Sequence, residues 1–162
     1  MRKTILTSLA ICVAIMFAAS ARAQGGPPPY GETINIAMAK KAAAAAVAEA
    51  AKNKWQLCVS VVAPSGDLIY FERMDTCQYA SITISQDKAR SAAIYRRPTK
   101  SFQDRLAKGG GGLAILTLNR AMASDGGVPI VVGGKIVGAI GCSGAASSQD
   151  AQSCQAGADA LK

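Results

Sequence analysis

Histidine is absent from all 162 residues of the chain, which also holds only three phenylalanines, four tyrosines and one tryptophan. Without histidine there is no Ser-His or Cys-His catalytic pair and no C-x-x-C-H attachment site for a haem. No C-x-x-C occurs either, so a zinc site would need dispersed cysteines, alone or with carboxylates, and none is expected. The scarcity of aromatics to stack on bases argues against nucleic acid as a partner.

What is present begins with an export signature. Arg2 and Lys3 precede an apolar stretch from Ile5 to Ala19 and the small-residue pattern Ala21-Arg22-Ala23. Residues 1–23 therefore read as a secretory signal peptide cleaved before Gln24, too short in its apolar run for a membrane anchor. Residues 24–32, including GGPPPYG, read as a flexible leader, and residues 33–162 as one domain with its own core. A periplasmic or secreted protein is expected, with no membrane span after processing. Four cysteines survive cleavage, Cys58, Cys77, Cys142 and Cys154, and an even number in an exported chain favours disulfides. Sequence leaves all three pairings open.

Basic residues outnumber acidic ones 18 to 10, and Arg90, Arg96, Arg97, Lys100, Arg105 and Lys108 crowd into residues 90–108. The cluster reads either as a solvated helix face or as the rim of a pocket for carboxylates or phosphates.

Residues 33–53 are dominated by strong helix formers and predict a helix whose alanines allow close approach to a sheet. LCVSVVA and LIYFERM, separated by Pro64-Ser65-Gly66-Asp67, predict a hairpin. Residues 79–95 predict a helix closed by Pro98, and 99–107 a short helix. GGGG at 109–112 reads as a flexible break, while LAILTLN is ambiguous between helical turn and strand. VPIVV and KIVGAIG predict a second hairpin turned at Gly133-Gly134, and a last helix follows, capped by Ser147 or Ser148. The order describes an α+β domain in which helices cover a mostly antiparallel sheet.

The glycines of GGKIVGAIGCSGA raise the question of a phosphate loop. A P-loop fails because Pro129 stands where its first glycine belongs and Ile136 follows Lys135. A dinucleotide fingerprint fails on spacing, since Gly138, Gly141 and Gly144 recur by threes. Gly138 and Gly141 instead mark a strand on which a helix, a second subunit or a flat ligand packs closely. Ser85 and Lys88 have the S-x-x-K spacing of penicillin-binding enzymes, but neither SDN nor KTG follows, so both read as ordinary helix residues. Asp75 and Asp150 are the carboxylates available as an acid and base pair. Asp150 reads better as a complement to its helix dipole, and Asp75 stays open. No catalytic residue is assigned.

APSGDLIYFERMD, QDKARSAAIYRRPTKSF, GGVPIVVGGKIVGAIGCSGA and QDAQSCQAGADAL occur in the order and spacing of the GlcG/HbpS-like, or haem-degrading-domain, proteins. The chain resembles that family from about Ile34 to Leu161. The resemblance implies a profilin-like fold, a five-stranded antiparallel sheet in the order 2-1-5-4-3 covered by helices, in homo-oligomers some of which bind haem. If that order holds, Cys58, Cys77 and Cys142 gather near one sheet edge with Cys154 early in the following helix, and a disulfide from Cys77 to the C-terminal segment is implied, to Cys154 in preference to Cys142.

The same edge implies a ligand site rimmed by Arg73, Asp75, Ser143 and Gly144, with Arg96, Arg97, Thr99 and Lys100 as a basic wall for haem propionates or a small organic acid. With no histidine, the iron ligand would come from groups such as Thr99, Met74 or Cys142. The expected function is an exported haem-handling accessory protein. The alternative is a module acting on a small acid such as glycolate.

Overall fold

The computed structural model describes residues 26–162, so the expected signal peptide at 1–23 lies outside the described residues. Helix α1 spans Ile36–Lys52 and is opened by Asn35, whose side chain accepts the Met38 N–H at 2.9 Å. Strands β1 (Cys58–Val62) and β2 (Leu68–Arg73) form the first hairpin. At its turn Gly66 has φ +92°, and the Ala63 N–H bonds to the Asp67 carbonyl at 2.8 Å. Helix α2 (Ala80–Tyr95) ends with Arg96 in the left-handed region, and α3 covers Lys100–Ala107. Strands β3 (Gly127–Val132) and β4 (Lys135–Ser143) turn at Gly133 and Gly134, both with positive φ, and α4 covers Ser147–Asp159.

Among the described residues the sheet is antiparallel with order β2-β1-β4-β3, four strands rather than the expected five. The missing one is LAILTLN, which lies in and after a 3-10 helix over Gly110–Thr117. Gly109 and Gly110 take positive φ there and turn the chain back onto α3. Gly112 then approaches the Arg105 carbonyl so closely that no side chain would fit. The four strands that do form keep the expected order.

Helices cover both faces. Cys58, Ser60 and Val62 of β1, with Ala139, Gly141 and Ser143 of β4, face α2. Val59, Val61, Ile140 and Cys142 face α1 and α4 in the main core, together with Leu57 and Ile130. At Gly141 an added Cβ would collide with the Ser85 carbonyl and the Ala89 N–H. A helix backbone is therefore what this strand glycine admits.

The disulfides follow these faces. Cys58 pairs with Cys77 on the α2 side and Cys142 with Cys154 on the α4 side, with Cα separations of 6.0 and 5.7 Å. The implied Cys77–Cys154 bond is thereby corrected: the two residues belong to opposite faces of the sheet.

The segment read as a flexible leader meets the sheet from Pro29 onward. Ile136 donates to the Pro29 carbonyl and accepts from the Gly31 N–H, both at 2.8 Å, so Tyr30 runs parallel to β4 beyond the end of β1. Among the described residues no helix is long and apolar enough to cross a membrane.

Candidate functional site

Among the described residues, strand β3 has β4 on one side and no strand on the other. Pro129 lacks an N–H, which suits an edge position. Along this edge lies an open groove of about 250 Å³, whose wall is Pro28, Pro98, Val128, Pro129, Val131 and Ala158. Its polar members are Arg96, Gln155 and Lys162. Four separate segments build it: the stretch before α1, the α2–α3 connection, β3 itself, and α4 with its C-terminal extension.

Arg96 is held by its surroundings. Its backbone closes α2 with φ 54° and ψ 39°, and its guanidinium stacks over the Tyr30 ring at 5.5 Å from the centroid. The Tyr30 hydroxyl donates to the Ala93 and Ile94 carbonyls at 3.0 and 2.9 Å, which ties the same helix end to the chain before α1. Lys162 pairs with Asp159 at 2.5 Å, and Gln155 donates to the same carboxylate at 2.8 Å.

The other predicted residues are spread more widely. Arg73 and Ser143 flank Cys58 in register at one end of the sheet. The Arg73 guanidinium donates to the Cys77 carbonyl and lies over the Tyr79 ring, while the Ser143 hydroxyl donates to Ser81 at 3.0 Å inside the protein. Asp75 is exposed in the loop after β2, and Gly144 (φ +145°) packs against the Gln56 carbonyl. Of the basic wall, only Arg96 lines the groove. Arg97 donates to the Tyr95 carbonyl and lies over Phe102, and Lys100 pairs with Asp104.

Thr99 is fully buried, its hydroxyl accepting the Gly127 N–H at 2.9 Å. The Met74 sulfur accepts the Leu57 N–H at 3.3 Å, and Cys142 is consumed by its disulfide.

The most unusual chemistry lies in residues read as ordinary. Lys88 of α2 and Asp150 of α4 form an ion pair at 2.7 Å with side chains only 2% and 3% exposed. The second Asp150 oxygen accepts the Ala145 N–H at 3.0 Å, so Asp150 tethers the start of α4, while the Ala146 N–H bonds to Gln149. Neither Ser147 nor Ser148 caps this helix, because Ala146 holds the cap position. Burial pushes the Asp150 carboxyl above the usual carboxylate range, against the opposing pull of Lys88 and the Ala145 N–H. The sequence signal for a buried Lys88 is the spacing of Ser81, Ser85, Lys88 and Ser91, which follows one helix face and is buried throughout.

The profile of the family described as "Haem degrading protein HbpS-like" matches residues 34–159. This chain belongs to the HbpS-like family. Protein GlcG of Escherichia coli K12 is 41% identical over 106 residues, 65% of this chain and 78% of GlcG. The crystal structure of a double mutant of Streptomyces reticuli HbpS is similar with a TM-score of 0.74 and 30% identity, covering 90% of this chain and 98% of the other. A crystal structure of a PduOC:heme complex shares the fold, with a TM-score of 0.72 at 23% identity over 80% of this chain and 96% of the other. The HbpS-like region spans the ion pair and most of the groove. Pro28 and Lys162 lie beyond it.

Proposed function

We propose that this chain binds haem in the open groove along β3, as an exported, homo-oligomeric haem-handling accessory protein rather than an enzyme. The observation that carries the reading is an apolar strip flanked by Arg96, which has no carboxylate partner among the described residues, on a chain whose family is described by haem degradation. A porphyrin is an apolar plate with two carboxylates at one edge, so Val128, Val131 and Ala158 suit its face and Arg96 its propionates. The groove is smaller than the roughly 300 to 1,000 Å³ of enclosing ligand sites, so the bound group keeps one face in solvent. HbpS and the PduOC:heme complex, both similar in fold, support the same class of ligand. Two buried disulfides support export. Bound haem would bring its iron, and this chain's residues would orient and shelter it.

The alternative small-acid reading gains less. Asp75 stands exposed, and among the described residues Lys100 is already engaged by Asp104.

A haem titration of the oxidised protein tests the proposal. A saturable Soret band is expected, with affinity falling about tenfold in Arg96→Gln as a charge-assisted contact is lost. A non-saturating response, with thermal stabilisation by glycolate instead, would move the small-acid reading ahead.

A further inference from the structure

We infer that the groove recognises the porphyrin's periphery and not its metal, so that a metal-free porphyrin dicarboxylate binds as well as haem does. This rests on the reading of the groove as a haem site and specifies its ligand class.

A protein that grips haem through its iron needs a lone pair aimed into the site, from an imidazole, thioether, thiolate, phenolate or amine. The whole chain lacks histidine, and among the described residues no methionine, cysteine or tyrosine lines the groove. None of its polar side chains, Arg96, Gln155 and Lys162, supplies one of these groups in a free form. Lys162 is drawn into an ion pair with Asp159 at 2.5 Å, and an ammonium held there has no lone pair to give. Gln155 donates to the same carboxylate at 2.8 Å. The Tyr30 hydroxyl, beneath Arg96, is spent on the Ala93 and Ile94 carbonyls.

What the groove does present is fixed in place. Arg96 has both its backbone angle and its ring contact set, so it offers a charge to a carboxylate with little ordering left to do. Each feature that favours binding therefore addresses parts of the ligand that haem and metal-free protoporphyrin share.

The experiment is a pair of titrations of the oxidised protein, one with haemin followed at the Soret band, one with protoporphyrin IX followed by porphyrin fluorescence. Dissociation constants within about threefold are expected, and Arg96→Gln should weaken both by the same factor of about ten. Haemin binding at least about tenfold tighter than protoporphyrin, or an Arg96→Gln effect confined to one ligand, would overturn metal-blind recognition while leaving the haem site standing. If neither ligand saturates, the haem reading falls and takes this inference with it. Arg96→Lys keeps the charge without the planar fork and separates lost charge from lost shape, since it should recover part of both affinities.

Discussion

The two faces of the sheet solve the same packing problem with different chemistry. Against α1 and α4 the interior is aliphatic, with Leu57, Val59, Val61, Ile130 and Ile140 fully buried. Against α2 it is small and partly polar: beside Val62, Ala89, Ala92, Ala93 and Ala139, Ser60 shares a 2.8 Å hydrogen bond with Ser85, Ser143 donates to Ser81, and Lys88 reaches Asp150. Aliphatic burial depends on area and tolerates modest changes of shape. A polar interior depends on every donor finding its acceptor, and fails abruptly when one is removed. Helix α2, whose closing residue Arg96 lines the groove, is thus the one held by matched pairs.

Breaking the ion pair should have the largest effect. Lys88→Ala leaves the Asp150 carboxylate buried without its countercharge, and urea unfolding should show a loss of about 3 to 5 kcal/mol at neutral pH. Replacing both partners by apolar residues, Lys88→Met with Asp150→Leu, should recover much of it, because no uncompensated charge remains.

The sign of the pH dependence follows from burial. Asp150 already titrates above its ordinary range, and losing Lys88 moves it further up. A raised folded-state carboxyl binds more protons than the unfolded chain does, so its contribution grows more favourable as pH falls. The Lys88→Ala deficit should accordingly shrink between neutral pH and the carboxylate range. A deficit that is constant with pH would mean the lysine acts by packing alone.

Steric insertion comes next. Gly141→Ala would drive a methyl group into the Ser85 carbonyl and the Ala89 N–H, backbone atoms that move only if α2 lifts from the sheet. A destabilisation of about 2 to 3 kcal/mol is expected, with faster amide exchange in α2. The same change at Gly111, where an added methyl group would meet no other described residue within 4 Å beyond its own chain neighbours, should be close to neutral. If the two variants unfold alike, close approach is not what the strand glycine serves.

Legibility in the sequence followed the range of each interaction. Pro64-Ser65-Gly66-Asp67 and Gly133-Gly134 set their turns locally, and both hairpins lie where those residues place them. The fifth strand was not legible because LAILTLN is apolar enough for either state. What decides it is the tight turn at Gly109 and Gly110 and the seat of Gly112 on α3. Disulfide pairing needed the face of each cysteine, which spacing alone does not give.

The groove joins Pro28, Arg96, Val128 and Gln155 from four places in the chain, so its basic anchor was visible as one residue of a cluster but its apolar wall was not. Lys88 is the instructive miss. Its helix position was right, and its burial depends on an aspartate 62 residues away.

The finest test compares how losses combine on the two faces. Ser60→Ala removes one partner of the buried 2.8 Å bond and should cost about 1 kcal/mol. The Ser85 hydroxyl keeps the Ile82 carbonyl as an acceptor at 3.1 Å, so it is not left without a partner. Ser60→Ala with Ser85→Ala should then cost less than the two single losses together, because the second change removes a hydroxyl that has already lost its strand-to-helix contact. Ile140→Val should also cost about 1 kcal/mol. Combined with Val61→Ala, its cross-strand neighbour in register, the loss should equal or exceed the sum, since the two vacated volumes adjoin. Equal coupling of the same sign in both double-mutant cycles would erase the distinction between a paired interior and an area-driven one.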